Sequence, residues 1–109
     1  MKLSDKQWEF LKDMSLLIQY ADRKGYKLTG GELYRTSYMQ KYYVEKELSE
    51  TNDSQHEKRL AMDFNLFIAG VYKTDTESYR ELGEFWESIR PENTWGGSWG
   101  WDGNHFERE

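Results

Sequence analysis

The sequence has 109 residues, which suffices for one domain but not for two independent hydrophobic cores. Hydrophobic residues make up only 37% of the chain, so five Trp, eight Tyr and five Phe must supply much of the buried area. The absence of cysteine excludes disulfides, thiolate metal sites and cysteine nucleophiles.

The charge pattern argues against two broad classes of function. Fifteen basic and 20 acidic residues give a net charge of −5 at pH 7, and the basic residues form no cluster that could bind nucleic acid. No apolar run approaches the ~20 residues of a membrane span, so we expect the protein not to be embedded in a membrane. The first residues lack the apolar stretch of a signal peptide, so we expect any export to use another route.

Residues 4–24 have the pattern of an amphipathic helix. Ser4 and Gln7 have the spacing of a capping box, and Gly25 is a typical C-terminal stop. Six apolar residues recur at helical spacing and form the predicted core face: Trp8, Leu11, Met14, Leu17, Ile18 and Ala21. We expect this segment to serve as an N-terminal structural helix.

Short strands and one polar helix are predicted in the middle of the chain. Residues 26–29 favour a short strand, residues 37–48 a polar helix, and residues 50–55 a loop. Residues 60–68 are apolar on both faces, which is typical of a buried strand, and residues 71–73 follow a turn as its hairpin partner.

The last third of the chain combines a helix with a segment rich in Gly and Trp. Residues 76–89 have a helical pattern that Pro91 ends, after which residues 95–109 favour a structured loop with a short strand at 105–107. Helices mixed with few strands predict an α+β fold, in which a short antiparallel sheet packs against helices in one domain over residues 1–109.

The two histidines of the chain stand near acidic residues. His56 opens a loop-to-strand transition, Asp63 lies inside the apolar strand, and His105 follows Asp102 by three positions. Burying a carboxylate costs free energy unless it is paired or bound to a metal. Two histidines and an aspartate are a suitable ligand set for a catalytic zinc ion that keeps a fourth position for water. The alternative is that Asp63 bonds to backbone amides and both histidines lie at the surface.

Three segments resemble motifs of the M15 metallopeptidases, which include D-alanyl-D-alanine carboxypeptidases and dipeptidases and phage L-alanyl-D-glutamate endolysins. Residues 54–63 (SQHEKRLAMD) resemble the SxHxxGxAxD motif, with Arg59 in place of its usual glycine. Residues 102–105 (DGNH) resemble the second motif, an acid three residues before a ligating histidine. Upstream, residues 29–36 followed by Gln40 resemble a slightly expanded T-S-G-x-R-S…Q segment.

The resemblance implies a fold like that of hedgehog domains and D,D-peptidases, with one zinc ion per chain held by His56, Asp63 and His105. It implies that Asp102 takes a proton from a water molecule polarised by the zinc and later delivers it to the leaving amine. It also implies that Arg35 faces the developing oxyanion or a substrate carboxylate.

Four further residues have a functional interpretation, and three of them also have a structural one. Gln40 and Ser54 belong to the resembling segments, and we assign them to substrate binding or to support of the ligands. Ser54 could equally be a simple turn residue. Trp99 and Trp101 could line the substrate groove, or they could belong to the core.

Other residues are expected to have structural roles. Trp86 shares helical spacing with apolar neighbours and is a core candidate, and Trp95 is expected to close the core beneath the site. Glu107 could border the site, but we expect it to be a solvated charge at the end of a strand.

The resemblance implies a zinc-dependent peptidoglycan peptidase, similar to small phage endolysins, that hydrolyses a stem-peptide amide bond with zinc-activated water. An aspartate rather than a glutamate at position 102 is similar to the endolysin branch, so the expected bond joins L-Ala to D-Glu. A D-alanyl-D-alanine carboxypeptidase is the alternative within the class. A competing hypothesis from a different functional class is a non-catalytic peptidoglycan-binding module with a structural zinc ion.

We expect a monomer that stays in the host bacterial cytoplasm until a holin opens the membrane, and then acts on the cell wall.

Overall fold

The structure, a computed structural model, describes residues 1–31 and 58–109. The predicted polar helix at 37–48 and the loop at 50–55 lie outside these ranges. Within them, two α-helices pack with an antiparallel sheet, which confirms the predicted α+β class. In the same part of the chain, no helix has the length and apolar character needed to cross a membrane.

Helix α1 (Leu3–Arg23) confirms the predicted helix at 4–24 to within one residue at each end. The predicted capping box is wrong, because the helix is preceded by Lys2 and has no side-chain cap. Gln7, the second member of that box, instead donates a hydrogen bond from its Nε2 to the carbonyl oxygen of Lys58 at 2.9 Å.

The buried face of α1 is narrower than the one predicted. Its buried residues are Phe10, Asp13, Met14, Leu17 and Ala21. Trp8, Leu11 and Ile18 were predicted to lie in the core, but all three are exposed. At 3.6 residues per turn they lie roughly 80° or more around the helix axis from Phe10, and only one side of the helix meets the rest of the protein.

The sheet has strand β2 at its centre. In the described residues its members are β1 (Lys27–Gly30), β2 (Ala61–Ile68), β3 (Val71–Lys73), β4 (Asn93–Trp95) and β5 (His105–Arg108). Strand β1 pairs along one edge of β2, β3 and β5 share the other edge, and β4 pairs with β5. All of these pairs are antiparallel, and the predicted hairpin between β2 and β3 is confirmed. The sequence pattern did not predict β4, because three residues are too few for an alternation to be visible.

A 3-10 turn (Thr76–Tyr79) and helix α2 (Arg80–Ile89) together occupy the predicted helix at 76–89. The helix ends before Pro91, as predicted. A residue that precedes a proline avoids the helical region, and Arg90 is accordingly extended, with φ −159° and ψ 140°.

Aromatic rings dominate the core, as the composition requires. Both Trp86 and Trp95 are buried, which confirms the prediction for each. Trp86 meets Phe10 edge-on, with ring centroids 5.7 Å apart. The core cluster consists of Phe10, Met14, Leu17, Ala21, Leu60, Phe64, Leu66, Tyr79, Leu82, Trp86, Trp95 and Phe106.

Asp13 is a buried carboxylate on the core face of α1. It accepts hydrogen bonds from Arg90 Nε at 2.9 Å and from Asn93 Nδ2 at 3.2 Å. A buried charge is tolerated only when it is paired, so this group ties α1 to the end of α2 and to the start of β4.

Trp95 occupies a slot between two glycines. A Cβ added at Gly83, in α2, or at Gly97 would overlap the indole ring. The indole Nε1 donates a hydrogen bond to the carbonyl oxygen of Gly103 at 2.6 Å. The ring therefore connects α2 to the segment 96–104, which leads into β5.

We expect Gly83→Ala to destabilise the protein, although alanine in a helix interior is normally more favourable than glycine by about 1 kcal/mol. The new methyl group must displace the Trp95 ring, and overpacking of this kind costs about 1–3 kcal/mol. Urea unfolding measures the change in the free energy of unfolding. Glu84→Ala, at an exposed position of the same helix, is the control. A Gly83→Ala protein at least as stable as the wild type would contradict the close packing.

Candidate metal and catalytic site

Asp63 and His105 face each other across two neighbouring strands. They are paired positions of β2 and β5, and side chains at such positions project from the same face of an antiparallel sheet. Asp63 Oδ1 lies 3.0 Å from His105 Nδ1, and His105 is buried. The amide of Gly31 donates to the carbonyl oxygen of Asp63 at 2.8 Å, which fixes the backbone at this point. The alternative in which His105 is a surface residue is therefore wrong.

Asp102 joins Asp63 and His105 from the loop that leads into β5, and the space between these three side chains is called the recess below. One of its carboxylate oxygens, Oδ2, is 4.0 Å from His105 Nδ1. Its amide donates to the carbonyl oxygen of Gly96 at 3.3 Å, and its own carbonyl oxygen accepts from the amide of His105 at 3.2 Å. A Cβ at Gly96 would overlap the Asp102 carbonyl, so glycine at this position allows the loop to pack closely.

Glu107 contacts the other ring nitrogen of His105, so its interpretation as a solvated charge is wrong. Its Oε1 lies 2.8 Å from Nε2, and its side chain is only 17% exposed. The sequence contained a signal for this contact. A strand was predicted at 105–107, and residues two apart in a strand, such as His105 and Glu107, project to the same face. The sequence did not indicate that this face of the strand points towards the interior of the protein.

The surroundings of His105 change its protonation in the metal-free chain. Burial lowers the pKa of the imidazole, but hydrogen bonds to Asp63 and Glu107, together with the charge of Asp102, outweigh burial and raise the pKa to about 9. Three carboxylates around one imidazole favour a positive charge at this point. A metal ion that binds Nδ1 must displace a proton from it.

Trp99 and Trp101 form an exposed aromatic surface beside His105. The rings of Trp99 and His105 are 5.4 Å apart, and the two indoles are 6.1 Å apart. Their residues are 43% and 53% exposed, so neither belongs to the core, in contrast to Trp95. Flat rings next to a charged recess form a surface on which an extended ligand can pack.

Glu87, a residue that sequence analysis did not identify, holds the segment that carries this aromatic surface. Its Oε2 accepts hydrogen bonds from the amide of Trp95 at 3.0 Å and from the hydroxyl of Ser98 at 2.8 Å. In the sequence, Glu87 is one of several acids on an amphipathic helix, and nothing in its spacing distinguishes it from a solvated charge.

The other predicted site residues, Arg35, Gln40, Ser54 and His56, lie outside the described residues. Within residues 1–31 and 58–109, no three histidine or acidic side chains are arranged to hold a metal by themselves. These ranges contain two of the three predicted ligands, Asp63 and His105.

The donors that the structure describes fit a zinc ion. A carboxylate oxygen and an imidazole nitrogen are both common zinc ligands. Two ligand atoms of a tetrahedral zinc ion lie ~3.3 Å apart when the bonds are about 2.0–2.1 Å long. The 3.0 Å between Asp63 Oδ1 and His105 Nδ1 is close to that separation, so little movement is needed for both to bind one ion.

Comparison with known proteins gives a family match. The M15 peptidase family model described as D-alanyl-D-alanine carboxypeptidase matches residues 48–108, more than half of the chain. The matched range includes His56, Asp63, Asp102 and His105. Among curated proteins, no sequence gives a significant match.

Two solved structures share the fold. The L-Ala D-Glu endopeptidase ChiX of Serratia marcescens aligns with a TM-score of 0.77 and 23% identity, over 93% of this chain and 78% of its own. A mutant of the D,D-pentapeptidase VanY from a VanB-type vancomycin resistance cassette, in complex with Zn(II), aligns with a TM-score of 0.61 and 20% identity. That alignment covers 92% of this chain and 70% of VanY. The similarities confirm the predicted fold, a small domain with a short antiparallel sheet and helices.

Proposed function

The chain belongs to the M15 peptidase family, and from this premise we propose that it is a zinc-dependent peptidase acting on the stem peptide of bacterial peptidoglycan. The observation that supports the proposal most strongly is the meeting of three groups in one recess. Asp63 Oδ1 is 3.0 Å and Asp102 Oδ2 is 4.0 Å from the same nitrogen of His105. A metal site with a purely structural role has no need of a further, partly exposed carboxylate such as Asp102.

We assign zinc binding to Asp63 and His105, with His56 as the third ligand. When bound, zinc would supply Lewis-acid activation of a water molecule and of the scissile carbonyl group. Asp63 and His105 stand on adjacent strands of one sheet, so their relative position is set by backbone hydrogen bonds. The Zn(II) complex of the VanY neighbour supports the choice of metal.

Asp102 has the role of general base and then of general acid. Its carboxylate accepts a proton from the water molecule that attacks the carbonyl carbon, as a new C–O bond forms. The C–N bond then breaks, and Asp102 passes the proton to the leaving amine. The carboxylate is 28% exposed, so a substrate can reach it, and its backbone is fixed by the hydrogen bonds to Gly96 and His105.

The aromatic surface of Trp99 and Trp101 is the part of the recess that suits an extended peptide. Indole rings can pack against the backbone and the methyl groups of a stem peptide, which has few large apolar side chains. A stem peptide also carries carboxylates. Arg35, assigned through the family resemblance, is suited to bind one of them through both guanidinium nitrogens.

The bond between L-Ala and D-Glu is the favoured cleavage site. This choice rests on the aspartate at position 102, which is similar to the endolysin branch of the family. The two structural neighbours are named for different specificities, so the shared fold is compatible with either bond. The description of the matching family model favours D-alanyl-D-alanine carboxypeptidase as the second candidate.

Mass spectrometry of the products from purified peptidoglycan tests both candidates. Cleavage between L-Ala and D-Glu leaves L-Ala on the glycan strand and releases peptides that begin with D-Glu, and this is the result that we expect from the zinc-loaded protein. Release of D-Ala alone would support the second candidate. If neither intact walls nor soluble muropeptides yielded any product, the proposed peptidase activity would be wrong.

We expect Asp102→Asn to lower the rate of hydrolysis by about 10²–10⁴-fold, because an amide cannot accept the proton of the attacking water. Zinc content and melting temperature should stay close to those of the wild type, since Asn is nearly isosteric with Asp. Asp22→Asn, at an exposed position of α1, is the matched control and should leave the rate unchanged. A wild-type rate in the Asp102→Asn protein would remove Asp102 from the mechanism.

A further inference from the structure

Both ring nitrogens of His105 contact carboxylates, and these lie on opposite sides of the ring. Nδ1 faces Asp63 Oδ1 at 3.0 Å, and Nε2 lies 2.8 Å from Glu107 Oε1. Glu107 is two residues beyond His105 in β5, so the two side chains project from the same face of the sheet. The Glu107 side chain is largely buried, which shields this hydrogen bond from water.

The partner of each nitrogen decides where a neutral imidazole carries its single proton. An ionised carboxylate only accepts hydrogen bonds, so each of the two carboxylates favours a proton on the nitrogen that it faces. A cation bound by Asp63 and Nδ1 would take the place of the proton on Nδ1. The remaining proton would then be on Nε2, where it can be donated to Glu107.

We propose that Glu107 is a positioning residue, which holds His105 so that Nδ1 rather than Nε2 is the metal-binding atom. The inference rests on the proposed zinc site and adds to it the residue that orients one ligand. A carboxylate that accepts a hydrogen bond from a ligating histidine fixes the ring orientation and makes the metal-binding nitrogen more basic.

The backbone of Glu107 is held independently of its side chain. Its carbonyl oxygen accepts a hydrogen bond from Trp86 Nε1 at 3.0 Å. In the sheet it pairs with Ala61 of β2 and with Thr94 of β4. A change of the side chain therefore leaves the strand in place, and its effect can be assigned to the lost contact with His105.

Zinc titration of the metal-free protein, in competition with a chromophoric chelator, measures the proposed effect. We expect Glu107→Ala to weaken zinc binding by about 10–100-fold. Glu107→Gln should lose less, because its amide oxygen can still accept the hydrogen bond from Nε2. Glu109→Ala, at the exposed end of the chain next to β5, is the matched control and should bind zinc like the wild type. Circular dichroism of each metal-free variant checks that the fold is retained.

Long-range ¹H–¹⁵N NMR of the zinc-loaded protein gives a readout that a merely structural role would not change. The chain has only two histidines, so the ring signals of His105 can be assigned. We expect a protonated Nε2 and a metal-bound Nδ1 in the wild type, with that preference weakened in Glu107→Ala and restored in Glu107→Gln.

Two results would overturn the positioning role while leaving the zinc site intact. One is a His105 that binds zinc through Nε2, and the other is a Glu107→Ala protein that binds zinc as tightly as the wild type. A wild-type protein that binds no zinc would overturn the proposed function together with this inference.

Discussion

Backbone hydrogen bonds between β2 and β5 set Asp63 directly opposite His105, and much of the structure serves to keep these two strands in register. A slip of one residue would turn one of the side chains to the other face of the sheet, because side chains alternate along a strand. Strand β1 and the amide of Gly31 hold β2 from one side. Strand β4 and the indole of Trp86 hold β5 from the other. The result is that the carboxylates of Asp63, Asp102 and Glu107 all lie around the imidazole of His105.

Asp102 depends on a second constraint, because it lies in a loop and no strand pairing fixes it. Trp95 holds this loop in place. Its ring lies against Gly83 and Gly97, and its Nε1 donates a hydrogen bond to the carbonyl oxygen of Gly103. The close approach at Gly96 then brings Asp102 against the start of β5. The positions of Asp63 and His105 are thus set by the sheet, and the position of Asp102 by the packing of α2. The same packing leaves Trp99 and Trp101 exposed beside the recess, where a substrate can reach them.

Features that depend on local pattern could be predicted from the sequence. The helices, β1, β2 and β3 follow from periodicity and turn residues, and the burial of Trp86 and Trp95 follows from their aromatic bulk. Asp63, Asp102 and His105 became candidates because residues 54–63 and 102–105 each resemble a short family motif. Features that depend on contacts between distant segments could not be predicted. The core face of α1 was misjudged because the helix carries apolar residues on two sides and only one meets the other elements. Glu87 was missed for the same reason, since its partners Trp95 and Ser98 lie outside its helix. Glu107 was taken for a solvated charge because nothing in the sequence indicates that its face of β5 points inward.

The proposed peptidase mechanism requires one zinc ion bound at Asp63 and His105. Elemental analysis of the protein, purified without chelator and then supplied with zinc, measures the metal content of the wild type and of Asp63→Ala. We expect about one zinc per chain in the wild type, as for a single site of three protein ligands, and a marked loss in Asp63→Ala with the fold retained. We also expect the melting temperature to rise with zinc only in the wild type, because a ligand of the native state stabilises that state. A wild-type protein without zinc even after zinc is added would contradict the proposed zinc site.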